Sequence, residues 1–159
     1  GLKREQAMER PFGSAGKPSD IEAIVAYVTA QSRGMKIIAP LSYPEEKKAY
    51  EIGKRFFYYR AGSHDFSCAT CHSGDNKRIR LQELPNMTRP AEAQRAYGSW
   101  PAYRVSQGEV RSMQHRLSDC LRQQRFPEPV YGSDLITAVT MFLAKSAEGG
   151  VFNAPALKR

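Results

Sequence analysis

The stretch Phe66-Ser67-Cys68-Ala69-Thr70-Cys71-His72 decides how this chain of 159 residues is read. Within it, Cys68-x-x-Cys71-His72 has the spacing at which two thiols add across the vinyl groups of a haem and the next residue lies beneath the iron. A structural zinc site would need two further ligands at short spacing, and no second Cys-x-x-Cys or His-x-His exists in the sequence. A thioredoxin-like dithiol would need a βαβ context, which the chain lacks. The expected cofactor is one covalent haem c, attached at Cys68 and Cys71, with His72 as the proximal metal ligand.

A planar macrocycle needs an apolar slot, and small c-type domains build one from helices packed around it. Ser42 with Glu45 reads as a capping box, and Pro44 fits the first turn of the next helix. Tyr50, Gly53, Phe56 and Phe57 then give that helix an aromatic face. Ser133 caps a second helix, Leu135, Val139 and Phe142 repeat along one side of it, and Gly149-Gly150 stops it. No segment alternates long enough to argue for strands. The expected fold is all-α, a class I cytochrome c-like helical domain.

An internal repeat extends this organisation. Shifting the chain by 114 residues lays Ser19-Asp20-Ile21 on Ser133-Asp134-Leu135, Val25 on Val139, Ala30 on Ala144 and Ser32 on Ser146. One more residue of shift lays Ala39-Pro40 on Ala154-Pro155. Residues 1–41 therefore read as the C-terminal helix and tail of a preceding, similar domain whose front part is absent from the sequence, and 42–159 as the haem-binding domain.

The iron needs a distal ligand, and Met87, Met113, Met141, His64, His115 and Cys120 are the candidates. The segment Glu109–Arg125 has helical periodicity, with Val110, Met113, Leu117, Cys120 and Leu121 falling within an arc of roughly 100°. His115 falls on the far side, as a surface residue. Met113 and Cys120 share the buried stripe, and either could approach the metal. Met87 and Met141 read as core, Trp100 as packed near the haem edge or at an interface, and His64 as a loop residue. Haem attachment uses Cys68 and Cys71, so Cys120 has no disulfide partner left in the chain. Arg116 lies one turn before it on the same helix edge. A guanidinium there favours a thiolate and can grip an oxyanion bidentately.

Charge points the same way. Lys plus Arg number 24 against 16 Asp plus Glu, for a net charge of +8. Such an excess steers anions toward the protein. The basic residues are scattered and form no nucleic-acid reading motif, so small oxyanions or an acidic protein surface are the expected partners. No apolar run nears the ~20 residues that cross a bilayer. No secretory leader begins at Gly1, an absence that does not argue for the cytoplasm.

Together, Phe66–His72, Trp100-Pro101-Ala102-Tyr103-Arg104, Arg116-Leu117-Ser118-Asp119-Cys120, and the closing Ala154-Pro155 with Lys158-Arg159 resemble the SoxA family. These are the cytochrome c subunits of the SoxAX complexes of periplasmic thiosulfate oxidation. The resemblance runs from about Ser19 to the end of the chain. It implies a two-domain architecture in which the second cytochrome domain is complete here. It further implies that Cys120 is the distal haem ligand and carries a persulfide sulfur, and that Arg116 helps bind substrate. The implied activity joins thiosulfate to the carrier cysteine of SoxY in SoxYZ, with electrons leaving through haem on SoxX. An electron-carrying cytochrome with Met113 as distal ligand, and a thiosulfate dehydrogenase that makes tetrathionate, remain as alternatives.

Overall fold

In the computed structural model, which describes residues 20–79, 81–127 and 129–159, eleven elements succeed one another. They are α1 (Asp20–Gln31), α2 (Pro44–Tyr58), α3 (Cys68–His72), β1 (Arg78–Ile79), β2 (Gln82–Glu83), α4 (Pro90–Tyr97), β3 (Ala102–Arg104), β4 (Glu109–Arg111), α5 (Met113–Gln123), α6 (Asp134–Ser146) and β5 (Ala156–Lys158). Ser19, where the repeat begins, lies outside the described residues.

The helix termini reflect local chemistry. Pro44 occupies the first helical position of α2, which its fixed φ favours, so the cap falls on Tyr43 rather than Ser42. The backbone N–H of Tyr43 donates to Glu46 Oε2 at 3.0 Å, one residue later than the Ser42–Glu45 pairing expected from sequence. Ser133 does cap α6, its Oγ accepting from the N–H of Ile136 at 3.4 Å.

The core forms where α2 crosses α6. Gly53 makes the close approach: a Cβ there would stand 2.0 Å from the carbonyl oxygen of Ala138. The aromatic face of α2 lands on α6, with ring centroids 5.0 Å apart for Phe57–Phe142 and 5.8 Å for Tyr50–Phe142. Met87, Ala93, Val139 and Leu143 belong to the same cluster. Burying each large side chain among them is worth about 1.5–3 kcal/mol relative to leaving it in water.

The fold is helix-rich, as expected, but carries two small sheets. β1 and β2 form a two-stranded antiparallel ribbon, and the order β4-β3-β5 makes a three-stranded sheet, antiparallel between β3 and β4 and parallel between β3 and β5. The helix expected over Glu109–Arg125 is shorter for this reason. Gly108, at φ +70°, turns the chain so that Glu109–Arg111 pairs back onto β3. Val110 therefore lies on a strand. Ser112 then restarts the chain as a helix, its Oγ accepting from the N–H of His115 at 3.3 Å.

The stretch after α1 is tied to the far end of the chain. The N–H of Ile37 donates to the carbonyl of Gly150 at 2.7 Å, and that of Gly149 to the carbonyl of Ile37 at 2.9 Å. Ile37 and Ala39 are buried as a result. No helix among the described residues is long and apolar enough to cross a membrane.

Candidate functional site

The short helix α3 presents the Cys-x-x-Cys-His motif. Ser67 caps it: Ser67 Oγ accepts from the N–H of Thr70 at 3.1 Å, and Thr70 Oγ1 accepts from the N–H of Ser67 at 3.0 Å. Thr70, one of the two residues between the cysteines, thus helps fix the turn as well as set the spacing. Cys68, Cys71 and His72 all line one cavity of about 460 Å³. Volumes of ~300–1,000 Å³ are usual for cofactor sites.

His72 is held by the loop of Pro85 and Asn86. Its Nδ1 lies 2.9 Å from the carbonyl oxygen of Pro85, an acceptor, so Nδ1 carries the proton and donates it. Nε2 then keeps its lone pair for a metal, the arrangement that orients an iron- or zinc-binding imidazole. Burial, then the charge of Arg116, hold the His72 ring below its ordinary pKa, opposed by the Pro85 contact. The loop itself hangs on Asn86, which is 4 % exposed. Asn86 Nδ2 donates to Asp75 Oδ1 at 2.8 Å, its N–H donates to Glu92 Oε2 at 2.7 Å, and its Oδ1 accepts from Thr88 Oγ1 at 2.7 Å. The N–H of Met87 closes the loop on the carbonyl of His72 at 2.8 Å.

Facing α3, helix α5 sends Met113, Arg116, Leu117, Cys120 and Leu121 to the same cavity. All three thiols share it. Burial, reinforced by the proximity of Cys120, pushes the Cys68 thiol up to about 12. Burial raises Cys120 as well, and Arg116 pulls it back toward the thiolate. Arg116 is not a solvated helix charge: its side chain is 27 % exposed, and its Nη1 lies 3.3 Å from Asp119 Oδ2.

Of the other residues considered from sequence, Met87 and Trp100 line the cavity, whereas His64, His115 and Met141 do not. His64 is exposed and packs on Phe66. His115 corrects the surface reading. It is half-buried because the 130–132 segment covers that side of α5: Tyr131 Oη lies 3.1 Å from its Nδ1, and the N–H of Gly132 donates to Gln114 Oε1 at 2.8 Å.

Sequence reasoning missed four residues here. Pro85 and Asn86 orient His72, and the only local signal for them is an Asn two residues before a Thr, a common turn pattern. Arg104 and Lys158 also line the cavity, brought there by pairing between β3 and β5. Both stand in stretches that carry the family resemblance, but nothing in their spacing shows that strands so far apart in sequence meet at the cavity.

The residues present fit a covalent haem. Two free thiols and an imidazole with an open Nε2 stand on one wall of an apolar cavity, and a thiol and a thioether stand on the helix opposite. Fold and site together define a c-type cytochrome domain.

No family model matches the chain. It is 48 % identical over 159 residues to a protein of Hydrogenophilus thermoluteolus named L-cysteine S-thiosulfotransferase subunit SoxA, covering all of this chain and 58 % of that protein. A protein of the same name from Hydrogenobacter thermophilus is 34 % identical over 155 residues, covering 96 % of this chain and 58 % of that protein. Among solved structures, SoxXA from P. pantotrophus has a TM-score of 0.73 at 22 % identity, covering 96 % of this chain and 64 % of that one, a likeness of fold. The chain belongs to the SoxA family and spans 58 % of the length of these two curated relatives.

Proposed function

We propose that this chain couples thiosulfate oxidatively to a cysteine of a carrier protein. The carrier is SoxY within SoxYZ, the electrons leave to a SoxX cytochrome partner, and the site of action is the periplasm. The observation that carries the reading is the meeting of Cys68, Cys71, His72, Cys120 and Arg116 on one cavity. The names of the curated relatives support the activity, and the solved SoxXA complex supports the cytochrome partner.

Cys68 and Cys71 would hold the haem covalently, and His72 and Cys120 are the residues that would ligate its iron. When bound, the haem supplies a one-electron acceptor beside Cys120. Joining a carrier thiolate to the sulfane sulfur of thiosulfate forms one S–S bond and releases two electrons, with no leaving group. A single one-electron centre cannot take both, so a second centre on the partner is needed. Arg116 grips the sulfonate oxygens, each charge-assisted hydrogen bond being worth about 1.5–3 kcal/mol. A sulfur carried on Cys120 as a persulfide would form one S–S bond to the sulfane sulfur as two electrons leave to the acceptors. The carrier thiolate would then attack that sulfane sulfur, taking the thiosulfonate group and returning the persulfide anion to Cys120.

In the same reading, residues 1–41 are by sequence the end of a first cytochrome c-like domain and 42–159 form the second, with Ile37 and Ala39 of the first packed against the second. Ile24 and Val28 of α1 are 58 % and 56 % exposed, while Ala138 and Phe142, which match them in the repeat, are 2 % and 6 % exposed. A helix with such a face is buried when its own domain is whole. Amide exchange in α1 should slow in the longer protein, and unchanged exchange there would refute this assignment.

The decisive test has two parts. Intact mass should show one haem and one further sulfur on the chain. Thiosulfate should then consume carrier thiol only when an electron acceptor is present. Tetrathionate formed without any carrier would favour the dehydrogenase instead. Met113 shares the cavity with Cys120 and keeps one second reading alive, an electron carrier with thioether ligation. A redox titration separates them, because a thioether ligand raises the potential and an anionic sulfur lowers it.

A further inference from the structure

Arg104 and Lys158 are Cα partners across the parallel pair of β3 and β5. Directly paired residues point to the same side of a sheet. Burial confirms which side: Tyr103 and Leu157, one residue earlier on each strand, are 41 % and 73 % exposed, whereas Arg104 and Lys158 are half-buried. Both line the cavity that holds Arg116 and Cys120. Lys158 Nζ stands 6.0 Å from the centroid of the Trp100 ring, which lines the same cavity.

Three cations thus converge where few carboxylates answer them. Asp119 is already engaged by Arg116 at 3.3 Å, Arg122 at 2.7 Å and Gln123 at 2.9 Å. Among the described residues, neither Arg104 nor Lys158 forms an ion pair. The crowding has an electrostatic signature. Burial lowers the pKa of Arg104, and Arg116 lowers it further; burial lowers Lys158, and both arginines add to that. Such mutual repulsion is relieved by an anion placed among the three groups.

We infer that Arg104 and Lys158, with Arg116, form a three-sided clamp for a tetrahedral sulfur oxyanion at the cavity wall beside Cys120. This rests on the proposed function and extends it. Arg116 is partly neutralised by Asp119, so the strand pair supplies the charge that selects a dianion over a monoanion. Two planar forks and one point charge, approaching from a helix and from a sheet, suit the three oxygens of a sulfonate. The clamp is also a fold-level device: its two strand residues reach the site only when β5 docks parallel to β3.

The test uses the haem-loaded chain with its cytochrome partner. Thiosulfate binding is measured by calorimetry, and turnover with a carrier thiol is measured in parallel, for wild type and for Arg104→Gln, Lys158→Gln, Arg104→Lys and Lys158→Arg. The glutamine variants should each weaken binding and raise KM about tenfold, with kcat within about twofold. The charge-keeping variants should recover most of the loss, and the salt dependence of KM should be shallower in the glutamine variants. Unchanged binding and KM in both glutamine variants would overturn the clamp while normal wild-type turnover left the coupling reading standing. An equal loss in Lys158→Arg and Lys158→Gln, at normal haem absorbance, would also overturn it by making the residue structural. Clamped binding without turnover in wild type would sink the coupling reading alone.

Discussion

Gly53 and Ala138 meet backbone to backbone, with room between α2 and α6 for a hydrogen and nothing larger. The Phe57–Phe142 and Tyr50–Phe142 contacts flank that point, so the crossing sets how the aromatic wall of the core lies. Gly53→Ala should push the helices apart and destabilise the fold by about 1–3 kcal/mol or more, read as a lowered melting temperature. A melting temperature equal to wild type would show that α6 can move aside.

Arg116→Ala should leave haem content intact and raise the thiosulfate KM by about tenfold to a hundredfold, the range of one or two lost charge-assisted hydrogen bonds. Loss of haem in this variant would mean that the arginine holds the pocket together through Asp119, with no role toward substrate.

Cys120→Met keeps a sulfur donor on α5 while removing the thiol. A six-coordinate haem spectrum, a higher potential and no coupling are expected. Full coupling activity would rule out a covalent role for Cys120.

Asn86→Ala removes the node that ties the Pro85 loop to Asp75, Glu92 and Thr88. The imidazole of His72 should lose its fixed orientation, giving a shifted reduction potential and a broader haem spectrum at unchanged covalent attachment. An identical potential would show that the loop holds its shape without the asparagine.

His115 provides a pH test outside the cavity. Burial, then the charge of Arg111, hold its folded pKa below the ordinary 6.5. Between the lowered and ordinary values the unfolded chain binds more protons than the folded one, so stability falls as pH drops through that window. Melting temperatures measured from about pH 8 to about pH 5 should decline less steeply in His115→Gln. Parallel curves for the two proteins would remove His115 as the cause.

The sequence made the attachment motif, the aromatic face of α2, the capped helix at Ser133 and the pairing of Arg116 with Cys120 on one stripe readable. Each is a pattern within a few turns of chain. The two sheets were not readable, because strands of two or three residues are too short to show a period and their partners lie far off. The same limit hid the meeting of Arg104 with Lys158 at the cavity. It also lengthened the helix expected at Glu109, where the apolar spacing of Val110 happens to continue into a strand. His115 was misplaced for a related reason: a helical wheel shows which side faces the core, but not that a later loop such as Tyr131–Gly132 will cover the opposite side.

Ile37, sealed between Gly98 and Gly150, belongs by sequence to the segment before residue 42 and by packing to the domain after it. A cut between 41 and 42 would therefore not run along a natural seam. It would withdraw a buried plug from beneath the segment that leads into β5, and Lys158 would lose its footing with it.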